Sequence, residues 1–188
     1  MLSNLNDDCL LHIFQLLSLQ DQLQLTTICE RFEYLMVKYI WSKQYHDLHN
    51  QMRCLQPLDL QQYKQFFRLN QENIRKLQID VSNNFAYVYN SNRLNNRPDY
   101  TFYFKLKMSN IKILRIKCPA PSIHDVYIEM LSKNCPKLEI LDLGKSRVSG
   151  AYVEDIRSLQ LITIDYCVVS KAVSVCHPAQ GASTGSRK

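Results

Sequence analysis

The chain has 188 residues, 46% of them hydrophobic and 21% charged, a globular balance rather than a disordered or collagen-like one. Its 23 basic and 17 acidic side chains leave a formal charge of +6. Only four glycines occur, Gly144, Gly150, Gly181 and Gly185, so neither phosphate-cradling glycine loop nor a G-x-S-x-G nucleophile elbow can be assembled.

Residues 1–48 read as a compact helical unit. Leu10, Ile13, Phe14 and Leu17 follow the i, i+3, i+4, i+7 stripe of an amphipathic helix, and Asn6, Asp7 and Asp8 supply its cap and an acidic first turn. Ser18 and Asp21 form a capping box that opens a second short helix through Leu23 to about Thr27. A third helix is expected from Glu30 to Asp47, with Phe32, Leu35, Met36, Tyr39 and Ile40 at helical spacing. So small a bundle cannot bury all its aliphatic side chains, and some must face another surface.

The run from Leu5 to Leu17 resembles the first helix of an F-box. Asp21-Gln22-Leu23, Ile28-Cys29-Glu30-Arg31-Phe32 and Ile40-Trp41 fall where that family has its "DL", "VC-x-R-F/W" and "LW" positions. The usual proline after the first leucine is Asn6 here, which still caps a helix well. The resemblance implies docking on the adaptor subunit of an SCF-type ubiquitin ligase and, through it, on a cullin scaffold. Carried over by position, the adaptor-facing residues would be Leu5, Leu10, Ile13, Phe14, Leu17, Leu23, Ile28, Cys29 and Phe32. Each also fits an ordinary core position within the bundle.

Residues 49–73 are expected to form a helical connector, started by Pro57 and presenting Leu60, Tyr63, Phe66 and Phe67 on one face. Beyond residue 74 the pattern L-x-x-L-x-L recurs four times, at Ile74–Ile79, Ile111–Ile116, Leu138–Leu143 and Leu159–Ile164. Cys167 completes an L-x-x-L-x-L-x-x-C run, and Cys118 arrives one residue early for the same pattern. This resembles the cysteine-containing leucine-rich repeat. Leu114, Leu141 and Ile162 are separated by 27 and 21 residues, inside the roughly 20–29 expected, whereas Leu77 to Leu114 is 37. An inserted loop at 82–99, rich in Asn, Ser and Arg, accounts for that excess. Ser122 and Asp125 suggest a capping box for a helix with Val126, Tyr127, Met130 and Leu131 on its apolar face, and Val153 and Ile156 a shorter one. Strands alternating with helices at this period imply a parallel curved sheet. Residues 74–168 thus form the repeat region, and the small, polar residues 169–188 an expected disordered tail with the look of a truncated or alternative end.

The expected fold class is α+β grading into α/β: an N-terminal three-helix F-box followed by a short leucine-rich-repeat-like solenoid. Seven scattered cysteines without a C-x-x-C pair suggest reduced core thiols, hence a cytoplasmic or nuclear protein. No signal peptide and no membrane-spanning run of 18 apolar residues is found.

Charge is divided between the two parts. Residues 1–50 hold three basic and six acidic side chains, and residues 51–188 hold 20 and 11. Lys76, Lys112, Arg115 and Lys117, on or beside the expected strands, are candidates for binding an acidic or phosphorylated target segment, or form a solvated basic face. The leading functional reading is a non-catalytic substrate receptor with no cofactor or metal. The alternative is a scaffold or a nucleic-acid binder, in which Phe85, Tyr87, Tyr89, Tyr100, Phe102, Tyr103 and Phe104 stack bases, although Tyr100–Phe104 alternates like a core strand. The histidines show no H-E-x-x-H spacing, and only His46 and His49 stand close enough for a helical metal pair.

Overall fold

The computed structural model describes residues 4–48, 52–55, 57–80, 101–117, 123–144, 148 and 152–163. The expected inserted loop, the tail, Ser122, Cys118 and Cys167 lie outside the described residues.

Helix α1 spans Asp7–Gln15, and the Asn6 side chain accepts a hydrogen bond from the Cys9 amide at 2.9 Å, the N-cap expected for this sequence. Helix α2 spans Leu19–Thr26 and is capped by Ser18, whose hydroxyl oxygen accepts from the Asp21 amide. Helix α3, Glu30–Leu35, continues without a break into a π-helical segment, Met36–Trp41, and then into the short α4, Ser42–Gln44. The wider π turn carries Met36, Ile40 and Trp41 into the core together.

The third helix therefore stops before the expected limit of Asp47. Tyr45 leaves helical geometry, and Asp47–Leu48 forms strand β1. The amides of Arg75 and Lys76 donate to the His46 carbonyl, and Leu48 is buried, so pairing and burial outweigh one more helical turn.

The connector contains a 3-10 turn at Met52–Leu55 and helix α5, Leu60–Asn70. Its start is set by Asp59 rather than by Pro57. The Asp59 carboxylate accepts from the Gln62 amide at 2.8 Å, and the Gln62 side-chain oxygen accepts from the Asp59 amide at 3.1 Å. Tyr63, Phe66 and Phe67 are buried on one face, as their spacing predicts. Phe66 packs against Trp41 with ring centroids 5.3 Å apart, while the Asn70 and Asn73 amides donate to the carbonyls of Tyr45 and Val37. The connector is thereby locked onto the N-terminal helices.

Four further strands fall on the four aliphatic runs: β2 Lys76–Asp80, β3 Ile113–Lys117, β4 Ile140–Asp142 and β5 Leu161–Thr163. The sheet is parallel throughout, in the order β1-β2-β3-β4-β5. Its register places Leu48, Leu77, Leu114, Leu141 and Ile162 side by side across all five strands. Leu77, Ile79, Leu114, Ile116, Leu141 and Leu143 are buried on one face of it. The alternating positions Lys76, Gln78, Arg115, Lys117, Asp142 and Thr163 lie on the opposite, open face.

Helix α7, Asp125–Asn134, precedes β4 and buries Ile128 and Leu131; Val126, expected on the packed face, is exposed. His124 occupies the N-cap position and makes no side-chain capping bond. Two short segments differ from expectation. Thr101–Phe104 forms the one-turn helix α6, not a strand, because consecutive Tyr103 and Phe104 are both buried, and strand alternation would send one of them to solvent. Asn134 holds that turn by donating its side-chain amide to the Phe104 carbonyl at 2.8 Å. Residues 152–155 make turns closed by the Asp155 and Ile156 amides, rather than a helix, and still bury Ile156.

One apolar cluster runs from Leu10 and Phe14 through Trp41, Phe66 and Phe67 to Leu141 and Ile156. The N-terminal helices and the sheet share that core, so residue 48 belongs to both parts.

Candidate functional site

The first candidate surface lies on the N-terminal helices, whose arrangement depends on a buried polar knot. The Gln22 side-chain N–H donates to the carbonyls of Phe14 at 3.0 Å and Leu17 at 3.2 Å. Its side-chain oxygen accepts from the Trp41 indole N–H at 2.7 Å. Gln22 thus ties the C-terminal end of α1, helix α2 and the π segment at one point, and satisfies carbonyls that a helix end leaves open. At the other end, Arg31 donates to the Asp7 carboxylate at 2.6 Å and to the Leu5 carbonyl at 2.7 Å, pinning the entry to α1 against the start of α3.

Within this frame the nine residues expected to face the adaptor divide. Leu10, Phe14, Leu23 and Phe32 are buried in the described core, and Phe14 meets Phe32 edge-on at 5.0 Å. In the described structure these four pack inside the bundle, Leu10 and Phe14 from α1, Leu23 from α2 and Phe32 from α3. Leu17 is half-buried against the core. Leu5, Ile13, Ile28 and Cys29 are exposed, with Ile28 at 63%. Leu16, absent from the expected set, is the most exposed large apolar residue among the described ones at 87%, one helical turn from Ile13. Its signal was the surplus of aliphatic residues, not its place in the stripe.

The second candidate surface is the sheet. Arg115 and Lys117 stand on its open face. Lys76 begins that face and pairs with Asp47 on the neighbouring strand at 3.2 Å. Lys112 does not join them. It precedes β3 in the row of residues at the N-terminal margin of the sheet, where it meets Glu139 at 2.7 Å. Continuous backbone bonding makes that margin: the Lys112 amide donates to the Arg75 carbonyl and the Glu139 amide to the Lys112 carbonyl.

Beside this margin lies a cavity of about 550 Å³. Arg75, Lys76, Lys112 and Lys137 line it, together with His46, Asp47 and Asn110. Lys137 donates to the Asn110 side-chain oxygen at 2.8 Å, and among the described residues Arg75 forms no salt bridge.

Among the described free cysteines, Cys9 and Cys29 are exposed, whereas Cys54 and Cys135 are muffled. Burial pushes the Cys135 thiol up to about 12 and the Cys54 thiol up to about 11, so both stay protonated near neutrality. Among the described residues no group of three His, Cys, Asp or Glu side chains could hold a metal ion. No described helix is long and apolar enough to cross a membrane. Of the aromatics considered for base stacking, Tyr103 and Phe104 are core residues and Phe102 is half-buried; Phe85, Tyr87, Tyr89 and Tyr100 lie outside the described residues.

Compared with known families, residues 2–38 match the F-box domain. The N-terminal helical unit, capped at Asn6 and Ser18 and closed by Arg31, is an F-box region within a mixed helical and parallel-sheet fold. F-box domains bind the SCF adaptor and thereby a cullin, and F-box proteins are generally non-catalytic substrate receptors of these ligases. Neither the curated proteins nor the solved structures gave a match to this chain.

Proposed function

We propose that this chain is a non-catalytic substrate-recognition subunit of an SCF-type cullin ubiquitin ligase. It docks on the adaptor through Leu5, Ile13, Leu16, Ile28 and Cys29, with Leu17 at the margin, and presents a protein target on the open face of its parallel sheet. The observation that carries the reading is the exposure of Leu16 and Ile28 within the matched region. Large aliphatic side chains held out by capped helices have no stabilising role in the free chain and suit burial against a partner.

The sheet supports the second half of the reading. Strand order follows chain order, and each aliphatic run repeats the register of the one before it. A short leucine-rich-repeat-like solenoid would have this arrangement, with the helix-covered face buried and the other open to a ligand. Arg115 and Lys117 give the open face a basic character fitted to an acidic or phosphorylated segment. The ligase would then work by proximity, holding the target near a charged ubiquitin-conjugating enzyme, in the cytoplasm or nucleus and with degradation of the target as the outcome.

The test is capture of the purified adaptor by the full chain. Ile13→Asp with Ile28→Asp should abolish capture while circular dichroism and thermal melting stay as in the parent, since both positions are exposed. A folded parent chain that fails to capture the adaptor would refute the docking half. Phe14 is not a useful probe: a charge there lies in the core and unfolds the bundle.

A further inference from the structure

The cavity at the N-terminal margin of the sheet shares Lys76 with the open face, but Arg75, Lys112 and Lys137 belong neither to that face nor to the adaptor face. We infer that it is a binding site for a compact phosphate-bearing anion, held by Arg75, Lys76, Lys112 and Lys137. This goes beyond the ligase reading and does not rest on it, because the adaptor face uses none of these side chains.

Three observations carry the inference. Four cationic side chains from three segments line one concavity, whose lining includes the carboxylate Asp47, while Glu139 pairs with Lys112. Those two carboxylates are already engaged by Lys76 and Lys112, leaving Arg75 and Lys137 without a carboxylate partner among the described residues. A cluster of like charges is costly to hold unless a counter-charge enters it, and it is most favourably neutralised by one ligand bearing more than one negative charge.

The backbone then fixes the geometry. Arg75 and Lys112 sit in adjacent register, joined by the Lys112 amide and the Arg75 carbonyl at 2.7 Å, so their spacing does not depend on flexible loops. Arg75 offers a planar fork of donors suited to two phosphate oxygens, and the lysines offer point charges around it. The volume of about 550 Å³ falls within the ≈300–1,000 Å³ of small-molecule sites. The charged lining selects a charged occupant over an apolar one. Asn110 adds a neutral polar group.

The phosphates could belong to a soluble oligophosphate or to a phosphorylated segment of a protein, and two probes separate these sources. Isothermal titration calorimetry of the full chain would use tripolyphosphate in one arm and a phosphoserine peptide, with its unphosphorylated twin, in the other. Saturable binding of at least one phosphate probe is expected, with a loss of about tenfold or more for Arg75→Gln with Lys137→Gln. The control removes the same charge outside the cavity: Lys38→Gln with Lys105→Gln should stay within about twofold of the parent. Binding of tripolyphosphate alone makes the source a free anion, and binding of the phosphopeptide alone makes it a protein. Absence of binding by both probes, or equal weakening in the control, overturns the inference, because the cavity is then unoccupied by phosphate or acts only through diffuse charge.

Discussion

Gln22 and Trp41 form the side-chain bond on which the N-terminal bundle turns. Both are buried, and together they close three helical segments around one amide group. Gln22→Leu should destabilise the fold by about 1–3 kcal/mol, since the Trp41 N–H is left buried without an acceptor. Adding Trp41→Phe removes the orphaned donor, so the double variant should be more stable than the sum of the two single effects, read by urea unfolding followed by circular dichroism. Strict additivity would mean that the two side chains do not act as a pair. The buried thiols make a different prediction. A thiol titrates near 9 when unperturbed, and burial raises Cys135 to about 12 and Cys54 to about 11. The folded state therefore holds these protons more tightly than the unfolded chain. Their contribution is complete below pH of about 9 and is lost as pH rises toward about 12. The urea midpoint should fall between pH of about 9 and 11 in the parent, and less steeply in Cys135→Ala. A midpoint that rises over that interval would contradict the assignment.

Among the elements, those whose burial follows a strict period were readable from the sequence. Leu10, Phe14 and Leu23 mark α1 and α2, and Asn6 and Ser18 mark their starts as capping chemistry requires. The four aliphatic runs mark β2 to β5, because a parallel sheet with one covered face repeats the same inward positions. What could not be read depends on partners distant in the chain. Asp47–Leu48 became a strand because Arg75 and Lys76 donate to the preceding carbonyl, a contact spanning the whole connector. Thr101–Phe104 became a helical turn because two adjacent aromatics both found core space. The π turn at Met36–Trp41 has no local signature, since it exists to bring Trp41 to Gln22. At this scale Leu114 is the most informative single position. It pairs with Leu77 and Leu141 in the middle of the sheet and is buried. Leu114→Ala should cost about 2–5 kcal/mol in chemical denaturation, whereas Arg115→Ala on the open face should cost well under that. Equal costs would contradict the assignment of the two faces.

On the scale of the whole molecule, the F-box region and the sheet are built around a shared apolar cluster, with Trp41, Phe66 and Phe67 at the seam. The described residues of the two parts therefore pack into one core rather than into two separate ones. The helical stripe in the sequence marked the apolar residues of the N-terminal unit, but not which of them remain outside. Leu10 and Phe14 satisfy the same helical stripe as Ile13, and only packing against α2 and α3 decides that Ile13 stays at the surface. Charge follows the same division, with acidic side chains in excess over residues 1–50 and basic ones at the sheet margin.

The most direct measurement is the affinity of the full chain for the purified SCF adaptor, compared between the parent and Ile13→Asp with Ile28→Asp. The account predicts saturable binding by the parent and a loss of about a hundredfold or more in the variant, corresponding to about 2.7 kcal/mol, with the thermal melt unchanged. Equal affinity of the two proteins, or no binding by a fully folded parent, would contradict it.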